Sequence, residues 1–259
     1  MNEAIWGKLT GDKLAPNLQL HELVFSDAIR ALFRADYLDT AENSREVLVR
    51  MFFDKGCDSR ETINRFLEAT YLDHPHLLRY ITAGALLTDE GRVAYAATER
   101  SDLWGSDSLA VDEALEFAQH VISGLEYLHA RDLVYCVLSP DTVVPVGTDW
   151  KLSDFSHLRV AGTDTSDEAL SLATSLATSP PEAAEGLFSP AWDIWTLGQT
   201  LRKVLTGYKA HTVDPFRGVI LACLHMDPAA RPTLSQISTL LQAGPTDQRA
   251  HGLQSAARA

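Results

Sequence analysis

The spacing of apolar residues changes character once along this chain, near residue 111, and that change limits the folds open to it. Before it, apolar residues come in short alternating or branched runs. "EVLVRMFF" (46–53) is rich in branched and aromatic side chains and predicts a strand. "LQLHELVFSDAIRALFRA" (18–35) has short alternating patches around a polar centre, as a hairpin does. "RYITAGALLTDEGRVAYAATE" (79–99) predicts two strands around the turn "DEG". One helix interrupts them: "SRETINRFLEATYLD" (59–73), apolar at 63, 66, 67 and 71, with Ser59 as its cap. From 111 the period lengthens. "VDEALEFAQHVISGLEYLHARD" places Val111, Ala114, Leu115, Ala118, Val121, Ile122, Leu125 and Leu128 on one stripe. Short strands at 142–146 and 149–152 follow, then helices over 191–207, 216–226 and 233–243. The helix over 191–207 is apolar on several sides, which predicts a central place in a core. Strands with one helix, then mostly helices, predict an α+β protein: a small β-rich N-lobe on a larger helical C-lobe.

Composition narrows the partners. At 259 residues and 46% apolar content, the chain can bury a sizeable core without staples. Its net charge of −13 argues against nucleic acid or an anionic membrane, since both are bound by clustered Lys and Arg. Cys57, Cys136 and Cys223 form no C-x-x-C pair, which fits a reducing, cytoplasmic compartment. No apolar run reaches the ~18 residues of a membrane helix, and "MNEAIWGKLTGDK" has no signal-peptide pattern. The histidines show no zinc-ligand spacing, so no metal site is assigned. The Ser/Thr/Ala-rich stretch 164–182 predicts a mobile surface segment, and 244–259 a frayed tail.

The order of short motifs resembles the eukaryotic-type protein kinase family over residues 18–243. "HPHLLRY" (74–80) resembles the segment after the family's first helix, and "GLEYLHARDLVY" (124–135) the helix entering its catalytic loop. "DFS" (154–156) stands where D-F-G belongs, and "SPPE" (179–182) where A-P-E belongs. "DIWTLG" (193–198) resembles the D-x-W-x-x-G helix, and "DPAARPT" (227–233) the closing motif. The resemblance implies an extension at 1–17, an N-lobe over about 18–98, a C-lobe over about 103–243 and a flexible tail from 244.

It also locates the chemical parts. Phosphoryl transfer requires ATP to be positioned, Mg²⁺ held and a hydroxyl proton accepted. The family's loop H-R-D-L-x-x-x-N reads "YCVLSPDT" here. Tyr135 takes the His slot, Cys136 the Arg slot, Val137 the catalytic Asp slot and Thr142 the metal-binding Asn slot. Val137 offers no proton acceptor, and Asp141 sits in a different slot. Tyr135 is expected to keep the family's ring packing on Phe155. The Gly-rich loop aligns with "FSDAIR" (25–30), where Phe25 would obstruct a phosphate and Asp27 repel it. V-A-I-K reads "VLVR" (47–50): Arg50 keeps a charge at the Lys slot, and Leu48 adds bulk where adenine would stack. With Leu32 and Val144 at neighbouring slots, Leu48 is expected to complete an apolar column without nucleotide. The helix partner of Arg50 is Arg65 by ungapped counting and Glu68 if the helix is one turn shorter, and Glu68 is preferred. Glu182 and Arg231 match a buried ion pair, and Asp193 the anchor of the catalytic-loop backbone. The Arg that would receive an activation phosphate is Cys136, and the stretch from Gly207 to Arg231 is short for the family.

The expected function is therefore a pseudokinase: a protein-binding scaffold or allosteric regulator whose partner is a protein, such as an active kinase or signalling protein. No catalytic residue is assigned, and Val137→Asp is expected to be tolerated without creating activity. The alternative is a divergent Ser/Thr-type phosphotransferase or nucleotide-binding switch using Arg50 and Asp154, the two candidate cofactor-binding residues. No cofactor is expected, with weak ATP binding, with or without Mg²⁺, belonging to that alternative.

Overall fold

The computed structural model describes residues 3–53, 59–89, 91–102, 108–163, 178–205 and 215–242. The Ser59 side chain, Cys57, 103–107, 164–177, 206–214 and everything from 243 lie outside them, and with them several of the expectations above. The chain divides into two compact units, Met1–Asp102 and Leu103–Ala259.

The first unit is a six-stranded antiparallel sheet in the order β1-β2-β3-β4-β6-β5. Its strands are β1 (Lys13–Ala15), β2 (Leu18–Ser26), β3 (Arg30–Leu38), β4 (Ser44–Phe53), β5 (Tyr80–Thr88) and β6 (Gly91–Thr98). Alternation sorts the side chains by face. Leu18, Leu20, Ala31, Phe33, Ala35, Val47, Val49, Met51, Phe53, Val93, Tyr95 and Ala97 form one buried cluster. The residues before the sheet, expected only as an extension, complete this cluster. Helix α1 (Glu3–Lys8) contributes Trp6, which is fully buried, and Leu9 follows it. The segment is sewn on by Gly11 N to Leu20 O (3.1 Å), Leu20 N to Asp12 O (2.9 Å) and the pairing of β1 with β2.

Helix α2 (Ser59–Ala69) packs on strands β5 and β6. Its Phe66 ring lies 5.5 Å from Phe52 and 5.8 Å from Tyr80. Phe52 is two residues from Arg50 and so shares its face of the sheet. Phe66 and Ala69 are the buried residues of the helix, whereas Leu67 is 42% and Tyr71 86% exposed. The expected stripe at 63, 66, 67 and 71 is thus rotated, and the helix ends at Ala69, short of 73.

The second unit is mainly helical. Helix α3 (Val111–His129) buries Ala114, Phe117, Ala118, Val121, Ile122, Leu125 and Leu128, close to the expected stripe. Helix α4 (Pro190–Val204) buries residues around most of its circumference, Trp192, Asp193, Leu197 and Leu201 among them. It therefore forms the unit's centre. Helices α5 (Phe216–Cys223) and α6 (Leu234–Gln242) follow, the first ending three residues before the expected 226. A Cβ at Gly198 would meet Cys223 Cβ at 2.7 Å, so glycine is what lets α4 and α5 approach. Between α3 and α4 run three strand pairs: β7 (Leu133–Val134) with β10 (Arg159–Val160), β8 (Val143–Val146) with β9 (Asp149–Leu152), and β11 (Gly162–Thr163) with β12 (Leu187–Phe188). A β-rich unit followed by a helical one is the expected α+β class.

Candidate functional site

In the first unit the residues of interest lie on β3, β4 and the turn between β2 and β3. That turn, 26–30, is closed upon itself. Asp27 Oδ1 accepts the backbone N–H of Ile29 (2.9 Å) and of Arg30 (2.7 Å). Its Oδ2 accepts Arg30 Nε (2.9 Å) and pairs with Arg30 Nη2 (2.8 Å). Asp27 N donates to Arg30 O, and Phe53 N donates to Ile29 O. Asp27 O accepts Trp6 Nε1 at 2.8 Å. The amides of Asp27, Ile29 and Arg30 are thus all taken from within. Partial burial pushes the Asp27 carboxyl upward, but the bonds from Ile29 and Arg30 outweigh it and hold the group below the usual carboxylate range. Asp27 was expected to repel an anion. Its carboxylate also accepts the backbone N–H groups of Ile29 and Arg30 and the Arg30 side chain.

Arg50 lies on β4 opposite Leu32 of β3 and Ala96 of β6. Leu48 and Leu32 are both buried, as an apolar column requires. The preferred partner of Arg50, Glu68, is exposed and makes no ion pair with it. Arg65 bonds instead to Glu61 at 2.8 Å, one turn back along α2. The rotated stripe is the reason: with Phe66 and Ala69 inward, Glu68 faces away. The Nε of Arg50 is buried and has no hydrogen-bond partner among the described residues.

In the second unit, helix α4 holds the loop 135–142 by three side chains. Asp193 is fully buried and accepts the backbone N–H of Tyr135 and of Cys136, each at 2.8 Å. It also accepts His129 Nε2 at 2.9 Å. Trp192 Nε1 donates to Cys136 O (2.8 Å) and Thr200 Oγ1 to Leu138 O (3.2 Å). Cys136 needs these anchors, because its φ is +69°, a conformation costly for a residue with a Cβ. Asp193 therefore fills the anchoring role expected of it.

Tyr135, Cys136, Val137 and Leu138 of the loop are buried. Val137 is only 6% exposed. Thr142 Oγ1 accepts Ser139 N (3.0 Å) and its proton lies toward Val137 O (2.9 Å) and Ser139 O (3.1 Å). Asp141 is exposed in the 3₁₀ turn Pro140–Thr142. Tyr135 and Phe155 are buried and meet edge to face, centroids 5.8 Å apart, as expected. The Tyr135 hydroxyl has a role the sequence did not reveal. It donates to Thr142 O (3.0 Å) and accepts the N–H of Asp154 (2.9 Å), joining the two ends of the loop region.

Asp154 is half-buried. Its Oδ1 accepts both the N–H (3.0 Å) and the hydroxyl (2.6 Å) of Ser156. A glycine at 156 would supply only the first of these. Elsewhere in the unit, Arg231 and Glu182 form the expected buried ion pair, with Nη2 to Oε2 at 2.7 Å. Arg231 spends its other donors on Ala191 O and His225 O.

No family model matches the chain. Curated relatives do. It is 40% identical to serine/threonine-protein kinase SBK2 of Homo sapiens over 97 residues, which is 35% of this chain and 28% of that protein. It is 26% identical to Aurora kinase B of Drosophila melanogaster over 163 residues, 59% of this chain and 48% of the relative. It is 31% identical to the hormonally up-regulated neu tumor-associated kinase of Mus musculus over 130 residues, 49% of this chain and 18% of the relative. The chain thus spans less than half the length of each of these relatives. No helix among the described residues is long and apolar enough to cross a membrane.

Proposed function

Because this chain is related to the Ser/Thr protein kinases, we propose that it uses a kinase fold for binding and transfers no phosphoryl group. It acts as a scaffold or allosteric regulator in the cytoplasm, through contact with another protein. The observation that carries this reading is the closed turn at 26–30. A phosphate-binding loop needs open backbone donors. Here the donors of Ile29 and Arg30 bond to the carboxylate of Asp27.

The remaining residues fit Mg²⁺-ATP poorly, for reasons local to each. Val137 has no group to accept a proton. Thr142 has its hydroxyl committed to its own loop. Asp154 shares one carboxylate oxygen with two donors of Ser156. Leu48 brings a bulky side chain where the family has a small one. Each loss alone would weaken a kinase, and together they leave no route to the reaction.

One observation favours a second reading. Arg50 carries a charge whose Nε is buried without a partner among the described residues. A cation in that state suits an anion, and a nucleotide phosphate is one source. On this reading the chain is a nucleotide-binding switch. Titrating ATP into the chain by calorimetry, once with Mg²⁺ and once with EDTA, separates the two. No heat up to millimolar ATP in either buffer is the expected result. Saturable heat that Arg50→Met abolishes would replace the first reading with the second. Heat that requires Mg²⁺ and is followed by phosphate transfer to a peptide would overturn both.

A further inference from the structure

The closed turn is not held by its own residues alone. Trp6 reaches it from the start of the chain, twenty-one residues away, and donates its indole N–H to Asp27 O. The rest of the contact is extensive. Trp6 is fully buried and Leu9 nearly so, against Leu20, Phe33, Met51 and their neighbours. Gly11 and Asp12 bond to both polar groups of Leu20, and β1 adds a strand to the sheet's edge. The Tyr95 hydroxyl points to Leu14 O at 3.5 Å. At the turn itself Phe25 and Ile29 stay half exposed, at 50% and 55%. Apolar burial by the turn's own side chains therefore contributes little to fixing it.

We propose that Trp6 is a positioning residue and that residues 6–15 form a strap latching the β2–β3 turn in its anion-excluding form. Among the described residues, the strap supplies the hydrogen bond to the turn's Asp27 carbonyl that comes from outside β2, β3 and β4. It also clamps β2, the strand that feeds the turn, along its first half. Anything that lifts the strap removes that bond and uncovers the sheet face carrying Phe33 and Met51. The turn amides then keep only their local bonds, Ile29 and Arg30 N–H to Asp27 Oδ1 and Asp27 N–H to Arg30 O, in a turn no longer tied at its Asp27 carbonyl. Displacing the amino-terminal segment is thus a way to change the turn without touching it. The latch sets the shape of the turn whether or not nucleotide binds, so it and the reading above fail independently.

Amide hydrogen exchange on the full chain tests this. Trp6→Phe keeps an aromatic ring in the pocket and removes the N–H donor, and the smaller ring leaves a cavity whose general cost a control variant reports. Trp6→Phe should speed exchange at Asp27, Ile29 and Arg30 by about tenfold beyond any change at central β3 and β4 amides, the loss expected for one hydrogen bond. Val47→Ala, in the same cluster but away from the turn, is the control. It should lower overall stability without singling out the turn. Unchanged turn exchange in Trp6→Phe, or acceleration spread evenly over the sheet as in the control, would overturn the latch. Should Trp6→Phe fold poorly, the parent chain gives the answer in a denaturant series. Gly11, Leu20, Ile29 and Arg30 should then open together. Turn amides that open independently of the strap would refute it.

Discussion

The Tyr135 hydroxyl shows how a residue that looks like a loss for chemistry becomes a gain for structure. It joins Thr142 O to Asp154 N while its ring packs on Phe155. Tyr135→Phe keeps the ring and strands the Asp154 N–H, while Thr142 O keeps the N–H (2.9 Å) and hydroxyl (3.1 Å) of Ser153. The expected cost is about 1–3 kcal/mol, read from urea unfolding. Asp27 makes a prediction with a definite pH sign. Its folded carboxyl is held below its ordinary value, so it stabilises the fold above about pH 4 and loses that contribution as pH falls through its folded pKa. Asp27→Asn should therefore flatten the fall of the urea midpoint between about pH 5 and pH 3 relative to the parent; an unchanged slope would show that the carboxylate is not strained toward its charged form. Much at this scale was legible in the sequence. Val137, Asp193 and the Glu182–Arg231 pair follow from residue type and motif order. Glu68 was not legible. The helix carries apolar residues on two sides, Phe66 and Ala69 inward and Leu67 outward, so periodicity alone left its rotation open.

Elements explain how the loop 135–142 is held. Helix α4 fixes the loop backbone through Asp193, Trp192 and Thr200, and only Asp193 of the three carries a charge. These bonds grip backbone atoms, so they are indifferent to whether residue 137 is Asp or Val. The helix was readable because its apolar residues run around it and its motif is compact. The strap was not, because six helical residues and a three-residue strand carry no motif, although Trp6 and Leu14 both pack against the sheet's cluster. Asp193→Ala removes the acceptor of two buried amides and of His129 at once. It also releases the restraint on the positive φ of Cys136. A loss of about 3–5 kcal/mol, in the range of a broken buried charged contact, is expected in denaturant unfolding. Asp193→Asn keeps the shape and one acceptor and should lose less. Equal losses would mean that the charge, and not the hydrogen-bond geometry, does the anchoring.

At the scale of the whole molecule, the test is whether catalysis can be restored by replacing what the motifs lack. Val137→Asp supplies a base, but it places a carboxylate where only 6% of the side chain is exposed. The sequence alone made this change look tolerable. Its burial says instead that the charge is desolvated and the fold weakened, because a buried carboxylate without hydrogen bonds is expensive. On the proposed reading, even a folded variant binds no nucleotide to act on. Thr142→Asn would restore a ligand type for Mg²⁺ but would break the hydroxyl contacts with Ser139 and Val137 that shape the loop. Ser156→Gly would free one donor from Asp154 and leave the backbone one. None of these changes alters Asp27, whose carboxylate occupies the Ile29 and Arg30 N–H groups that the proposed reading holds closed to phosphate. The triple variant Val137→Asp/Thr142→Asn/Ser156→Gly should therefore show no transfer of labelled phosphate from Mg²⁺-ATP to itself or to a basic protein, and a lower urea midpoint than the parent. Adding Asp27→Gly opens the turn and should produce nucleotide binding before it produces transfer, since binding needs the donors and transfer needs everything at once. Transfer by the triple variant with Asp27 in place would mean that the turn does not exclude phosphate, and the binding-only reading of this fold would fall with it.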